Sequence, residues 1–424
     1  MFWVRGMTIS RLFLALALVI FLIVSLCPLT TVTRRVSVYG ETVGTVYASS
    51  LTFPVLINVS DYTGVNDSER IQEALNDVPP EGAVVFIPEG IWEACGLTAY
   101  SNTIILGANG TVLKRPQNTT APFITFENQA HFALLNVVFD GQNVTDAVGV
   151  QITNGTDFQV AYNVFQDIAE HALHITGQCG NFSVENNFFL HTNKAPLLIF
   201  GSPGSRDISG FLVANNTLMM SDDNGKIGVA FAADGTVADN YVYNCTYGIA
   251  TRCVSDLVIR GNRIEGTLSY GIYLGTQPGD VGSDNVEITE NYVSGSEQGI
   301  ARYYGSGSLV NITVRRNTIV DSSQSDIYAD FQGFFINNTF TSKAKVTLLV
   351  IPAQFIDNVD TNMTLLIPAD VQSDGKVDMR DVSIVARLFA STPASGNWNP
   401  DADVIRDNVI DMKDIGFVAK CFGT

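Results

Sequence analysis

The chain has 424 residues, with 24 Lys plus Arg against 42 Asp plus Glu, a formal charge of −18. Only 16% of residues are charged, 46% are hydrophobic and 36 are Gly, which excludes a charge-rich disordered chain poor in apolar residues. The length allows about two to four domains, and the acidic balance argues against nucleic acid, whose phosphates need a basic stripe, while leaving cations, neutral sugars and cationic surfaces as compatible partners.

Arg5 and Arg11 precede an uncharged, mostly apolar run from Leu12 to Leu26. The run is shorter than the ~20 residues of a membrane span and suits the apolar core of a secretory signal. Residues 1–30 are therefore expected to be a signal peptide or, failing cleavage, a short N-terminal anchor, with 31–54 as linker. Either outcome puts the rest of the chain outside the cytoplasm, secreted or attached to the outer surface. Asn-x-Ser/Thr begins at twelve positions between Asn58 and Asn362, which predicts a glycosylated surface. A structural repeat is the alternative origin for Asn215 and Asn337. Beyond Cys27 there are five Cys and no Cys-x-x-Cys. Cys245 and Cys253 are close enough in sequence to pair, and buried thiols are the alternative.

Next come Asp61-Tyr-Thr-Gly-Val-Asn-Asp67 and a short helix at about Ser68 to Asp77. Ile71, Ala74, Leu75 and Val78 share one face of it, and Pro79-Pro80 end it. Two apolar stretches follow, Gly82 to Trp92 and Asn102 to Leu113.

From Asn136 onward one phrase recurs: Asn, any residue, then an apolar one. It begins at Asn136, Asn163, Asn187, Asn216, Asn240, Asn262, Asn291, Asn317 and Asn338. The intervals are uneven, and all fall well short of the ~40 residues of a propeller blade. Between many of these, Gly opens a short apolar strand, as at Gly149, Gly228, Gly248, Gly271 and Gly299. The apolar stretches alternate with period two, so they read as strands. So short a unit buries nothing alone and must stack on its neighbours. Stacking sets the nine Asn above one another at a turn, where Asn tolerates the left-handed conformation and its amide bonds the next coil.

These stretches resemble the pectate-lyase superfamily over roughly residues 55–340, with 61–115 as its N-terminal part. The resemblance implies a right-handed, single-stranded parallel β-helix, an all-β solenoid whose open end the short helix covers. The superfamily mixes lyases, glycosidases, epimerases and non-enzymes, so the likeness carries fold more than activity.

Aligning the Gly-led strands puts Val150/Ile152, Leu173/Ile175, Leu197/Ile199, Val229/Phe231 and Ile272/Leu274 inside. The alternate residues face outward. Among them His174, Phe200, Arg252, Tyr273 and Tyr303 are candidate polysaccharide contacts, since aromatic faces with a few polar groups suit a sugar chain. For catalysis the nearest constellation is Asp222-Asp223 with Lys226 and, one coil on, Arg252. A glycosidase needs paired carboxylates and a lyase needs a Lys or Arg base. The pair is similar to that of polygalacturonases, whose Gly-His-Gly and Arg-Ile-Lys phrases are absent here. Glu170-His171 with His174 is a further base or metal candidate.

Residues 370–389 and 403–422 repeat at an offset of 33. The first loop offers Asp370, Gln372, Asp374, Lys376, Asp378 and Asp381 at positions 1, 3, 5, 7, 9 and 12. The second offers Asp403, Asp407, Val409, Asp411 and Asp414, with Ile405 at position 3. Four carboxylates so spaced converge on one hard cation, and Ca²⁺ is the expected cofactor. Ile405 supplies no side-chain oxygen, so the second site is expected to be weaker or empty. Apolar Val377 and Ile410 at position eight are expected to link the loops. One helix follows each loop, which resembles a type I dockerin over residues 368–424, after a connector at 341–367. The resemblance implies a cohesin-type partner met by Met379, Arg380, Met412 and Lys413. The function expected is an exported protein that binds polysaccharide and, as a lyase or glycoside hydrolase, degrades it. The alternative is a non-catalytic surface, adhesion or structural β-helix.

Overall fold

The computed structural model describes residue 53 and residues 55–422, apart from 222–224, 278, 303–306, 342–344, 349–353, 361–364, 367–368, 373–375 and 406. The expected signal peptide, nearly all of the expected linker, and Asp222, Asp223, Tyr303 and Asp374 therefore lie outside the described residues.

Each turn of the chain lays down up to three short strands, and every strand pairs in parallel with its equivalent one turn later. The result is a β-solenoid with three faces. Face A includes Val150–Thr153, Leu173–Thr176, Leu197–Phe200, Tyr270–Gly275 and Gln298–Ala301. Face B includes Thr156–Ala161, Gly180–Glu185 and Ile208–Ala214. Face C is a separate 12-stranded sheet running from Gly90–Glu93 to Val359–Asp360, which makes about 12 turns. Faces A and B merge where Ile227–Ala238 and Tyr247–Arg260 run through both. Pairing continues past residue 340 through Lys345–Leu348, Gln354–Ile356 and Leu365–Leu366, so the segment expected as a connector carries further strands of the solenoid.

The strands alternate buried and half-buried residues, as the period-two pattern requires. Inside, Phe126, Phe132, Phe158, Phe182 and Phe211 stack with ring centroids 4.1 to 5.6 Å apart. The stack ends at Gly235, the register partner of Phe211, where a Cβ would come within 2.0 Å of that ring. The inward pair expected at Val229/Phe231 is shifted. Leu197 and Ile199 pair with Ile227 and Val229, while Phe231 sits beyond the turn at φ 54 and packs on Ala230 and Cys253.

The corner between faces B and C carries the recurrent Asn. Asn163, Asn187, Asn216, Asn240, Asn262, Asn291, Asn317 and Asn338 are all at most 2% exposed. Each gives its backbone N–H and its side-chain Nδ2 to the Oδ1 of the next, as Asn187 does to Asn216, both at 3.0 Å. Each Nδ2 also reaches a carbonyl of the previous turn, as Asn187 reaches Val160 at 2.9 Å. The ladder extends one step beyond the expected set, to Asn358. Asn136 is not part of it: Val137 is the residue whose N–H meets Asn163 Oδ1. The left-handed conformation also falls elsewhere. It belongs to the residue before each ladder Asn, such as Tyr162, Asn186, Asn215, Asp239 and Gly261, and Asn136 itself occupies that position. The same conformation explains part of the glycosylation pattern. Asn143, Asn154, Asn181, Asn215, Asn244, Asn311 and Asn337 of the twelve sequons all have φ near +50. Turn geometry asks for Asn there whether or not a glycan is attached.

Helix α1, Asp67–Asn76, buries Ile71, Ala74 and Leu75. Its polar side chains cover the exposed edge of the first turn: Asp67 accepts from Glu93 N, Ser68 from Cys95 N, and Gln72 from Thr98 N. An open strand edge is thereby satisfied without another strand. Near the C-terminus, α2 (Met379–Arg387) and α3 (Met412–Lys420) pack around their own core of Val377, Val385, Ile410 and Val418. Cys95, Cys179, Cys245, Cys253 and Cys421 are free thiols, so Cys245 and Cys253 do not pair.

Replacing Asn240 with Ala strands the amide and N–H of Asn216 and the carbonyl of Val213. The expected cost is about 2–4 kcal/mol. Asn136→Gly keeps the left-handed turn and loses one hydrogen bond, at a cost of about 1 kcal/mol or less. Urea midpoints of the two variants check the ranking.

Candidate functional site

Face A shows why its outer surface is chemically distinct. Register places Gln151, His174, Leu198, Gly228, Ala250, Tyr273, Ala301 and Tyr328 in one outward column. Thr153, Thr176, Phe200, Ala230 and Arg252 form a second. His174, Phe200, Arg252 and Tyr273 thus share one surface, as the alternation implies.

The centre of that surface is a tyrosine cluster. Tyr270 lies 4.8 Å from Tyr273 and 5.5 Å from Tyr247, ring centroid to centroid, with all three half-buried. Tyr328 packs on Tyr270 and Ala301. Lys226 Nζ stands 5.3 Å over the Tyr247 ring, and burial holds its amine down at about 8. Burial also raises the Tyr273 hydroxyl, keeping it a neutral donor. Tyr247 and Tyr270 were not expected here. The signal was present, since both precede Gly-Ile in the recurring Gly-led phrase.

Toward the N-terminal side lie His171 and His174, with ring centroids 5.2 Å apart. Glu170 pairs with Lys194, and His171 Nδ1 lies 3.3 Å from the Ala195 carbonyl. Burial, then the neighbouring His171, pushes His174 down to about 4. Burial also lowers His171.

Toward the corner with face B the charges are paired. Arg252 makes a two-pronged bond to Asp280, Nε to Oδ2 at 2.9 Å and Nη2 to Oδ1 at 2.8 Å, while its guanidinium stacks on Phe231 at 4.9 Å. That bond raises Arg252 and lowers Asp280. Arg302, 5% exposed, pairs with Asp330 at 3.1 Å, and burial still raises Asp330. Arg206 bonds the Gly282 carbonyl at 3.1 Å and pairs with Asp284. Arg302 also reaches the Thr276 hydroxyl at 3.4 Å and the Gly307 carbonyl. These arginines tie the turns that carry Arg206, Asp280 and Gly307 to one another and to face A. Lys226 and Arg252 accordingly do different things: one lies on an aromatic ring, the other is held by a carboxylate. The carboxylates of Glu170, Asp280 and Asp330 each face a cation.

In the C-terminal module each helix begins with a capping box. Asp378 and Asp411 cap α2 and α3, and Asp381 and Asp414 bond back to them. Position twelve also ties each loop's start: Asp381 accepts from Gln372 N and Asp414 from Ile405 N. Asp381 and Asp414 are fully buried, Asp370 and Asp403 nearly so. Burial raises the Asp403 carboxyl, and the nearby Asp414 charge raises it further. Buried like charges of this kind suit a cation, and to that extent the residues fit Ca²⁺. No group of three or more His, Cys, Asp or Glu among the described residues is arranged to hold a metal, with Asp374 outside that set. Met379 and Met412 are 63% and 65% exposed on the first turns of the two helices, beside Arg380 and Lys413.

Residues 205–341 match the family model for a right handed beta helix region, and residues 368–422 match that for a dockerin type I domain. No curated protein matches in sequence. Among solved structures, the surface adhesin PfbA of Streptococcus pneumoniae is similar over 73% of this chain and 90% of its own, with 14% identity and a TM-score of 0.56. A hyperthermoactive exopolygalacturonase from Thermotoga maritima is similar over 74% of this chain and 92% of its own, with 13% identity and a TM-score of 0.55. The tailspike of E. coli bacteriophage HK620, solved with a hexasaccharide, matches 72% of this chain and 64% of its own, at 14% identity and TM-score 0.56. The chain is thus a right-handed parallel β-helix with a dockerin type I match at its C-terminal end. Identities this low establish the shared fold alone.

A His held near 4 in the folded chain and near 6.5 when unfolded binds more protons unfolded between those values. Its contribution to stability is present above 6.5 and is lost as pH falls toward 4. His174→Gln is expected to lose less stability than wild type between pH 7 and pH 4, measured by urea unfolding at each pH.

Proposed function

We propose that this protein acts outside the cell as a polysaccharide-binding β-helix, held to a cohesin-type partner by its C-terminal module with Ca²⁺ in the first loop. The observation that carries the binding reading is the Tyr247–Tyr270–Tyr273 cluster on an outward sheet face, with Lys226 lying over Tyr247. Aromatic faces take the C–H face of a pyranose, and hydroxyls at their rims orient it. The dockerin match supports a cohesin partner, and exposed Met379 and Met412 beside Arg380 and Lys413 suit its contact surface. Asp370, Gln372, Asp374, Asp378 and Asp381 would hold the cation, with Lys376 offering its backbone carbonyl. When bound, Ca²⁺ neutralises carboxylates that are otherwise buried side by side. The residues of the loop then hold the first turn of α2 in place for the partner.

A second reading, cleavage of the bound chain, is favoured by Lys226, whose amine near 8 suits proton abstraction next to a sugar carboxyl. The paired carboxylates of the described part of the site count against hydrolysis by a free acid and base.

Three experiments test these readings on the full chain. Tyr247→Ala and Tyr273→Ala are each expected to weaken binding to the polysaccharides retained on a glycan array by about tenfold; unchanged binding would remove the groove assignment. Lys226→Ala is expected to abolish any release of unsaturated uronate ends, read by ultraviolet absorbance, while leaving binding measurable. Chelation of calcium is expected to abolish cohesin capture and leave glycan binding intact.

A further inference from the structure

We propose that face C carries a second carbohydrate-binding surface, for a neutral polysaccharide, built from Tyr241, Tyr243, Arg263 and Tyr292. These residues belong to a different sheet from the tyrosine cluster of face A, and the inference does not rest on that cluster's role.

Strands Tyr241–Cys245, Arg263–Glu265 and Tyr292–Ser294 occupy successive turns of face C. Val242, Ile264 and Val293 are fully buried, so the residues on either side of each point outward. Register stacks Tyr241, Arg263 and Tyr292 in one outward column and Tyr243, Glu265 and Ser294 in the next. Glu265 ties the group together. Its Oε2 accepts from the Tyr241 hydroxyl at 2.9 Å, and its Oε1 accepts from the Arg263 guanidinium. The guanidinium in turn lies over the Tyr292 ring, 4.7 Å from its centroid. Tyr243 stands beside Tyr241, with centroids 6.2 Å and planes 21° apart. Burial, then the bond to Glu265, pushes the Tyr241 hydroxyl up to about 12, so it stays a neutral donor. The surface is nevertheless open: Tyr243 is 40% exposed, and the Arg263 side chain is 58% exposed. Strand propensity favours aromatic residues on a sheet, but it does not supply the carboxylate and guanidinium that join rings on different turns.

The chemistry suits a neutral sugar chain. Aromatic rings take the C–H face of a pyranose, and the Tyr243 hydroxyl and the exposed guanidinium edge orient its hydroxyls. Arg263 and Glu265 cancel, so on a chain of −18 this patch offers an ionic partner no net charge. Turns spaced ~4.8 Å apart set Tyr241 about 10 Å from Tyr292 along the axis, the run of a disaccharide. Side chains already held by Glu265 lose little freedom on binding.

The test uses the full chain carrying Tyr247→Ala and Tyr273→Ala, which removes the face A cluster, against immobilised β-glucan, mannan and xylan. This background is expected to retain at least one of the three. Adding Tyr243→Ala is expected to weaken that binding by about tenfold, and adding Tyr243→Phe by less. Retention of none of them, or binding that Tyr243→Ala leaves unchanged, overturns the proposal. A second measurement needs no substitution. Nitration of Tyr243 in wild type by tetranitromethane, followed by mass spectrometry, is expected to slow in the presence of the retained polysaccharide. An unchanged rate overturns the proposal, and is the result a protein partner on this face would give. The two surfaces fail separately. Binding that falls with Tyr243→Ala and ignores Tyr247→Ala and Tyr273→Ala removes the face A assignment and supports this one.

Discussion

The solenoid depends on a column of buried side-chain amides. A primary amide carries two donors and an acceptor with two lone pairs, and in this column all are used. Each Oδ1 accepts from the previous Asn twice, and each Nδ2 is shared between a carbonyl behind and the next Oδ1 ahead. Buried amides left half-satisfied would cost more than an apolar corner. Because every rung depends on the rung after it, the corner between faces B and C admits no insertion or deletion.

Length variation is therefore pushed to another corner. The longest intervals between ladder residues, from Asn187 to Asn216 and from Asn262 to Asn291, contain the long turns that carry Arg206 and Asp280. The shorter interval from Asn240 to Asn262 has no turn between faces A and B, and Tyr247–Arg260 runs straight through. The extra residues emerge beside the outward surface of face A, where Arg206, Arg252 and Arg302 fasten them. A rigid ladder on one edge thus leaves the length variation to another corner. This is the usual division in repeat proteins, with stability in the stacked core and recognition in the excess of each repeat.

The two C-terminal loops share one hydrogen-bonded frame. Both start their helices with a reciprocal pair of Asp, and both bury the carboxylates at positions one and twelve. In the second loop Lys413, in the first turn of the helix, pairs with Asp407 and lies near Asp411. A duplicated sequence thus keeps its hydrogen-bonded frame, because the caps need it.

Much of this was legible in the amino acids. The recurrent Asn and the Gly-led strands imply stacked coils, since so short a unit has no other way to bury its apolar side. The short helix, the outward placement of His174, Phe200, Arg252 and Tyr273, and the paired loops follow from periodicity and repetition in the same way, while the helix's covering role was implied by the family resemblance. Other features needed the folded chain. Asn136 has the same local phrase as the ladder residues and differs only by one register step, which nothing nearby in sequence reveals. The shift of the inward pair from Val229/Phe231 to Ile227/Val229 has the same origin: period-two alternation fixes which residues alternate but not where a strand begins pairing. Partners such as Asp280 for Arg252, Asp330 for Arg302 and Tyr270 for Tyr247 are remote along the chain. One turn of the solenoid closes that distance, and its length is set by where the inserted residues go. Sequence thus specifies the repeat and its chemistry, while the register of the stacked turns determines which side chains meet.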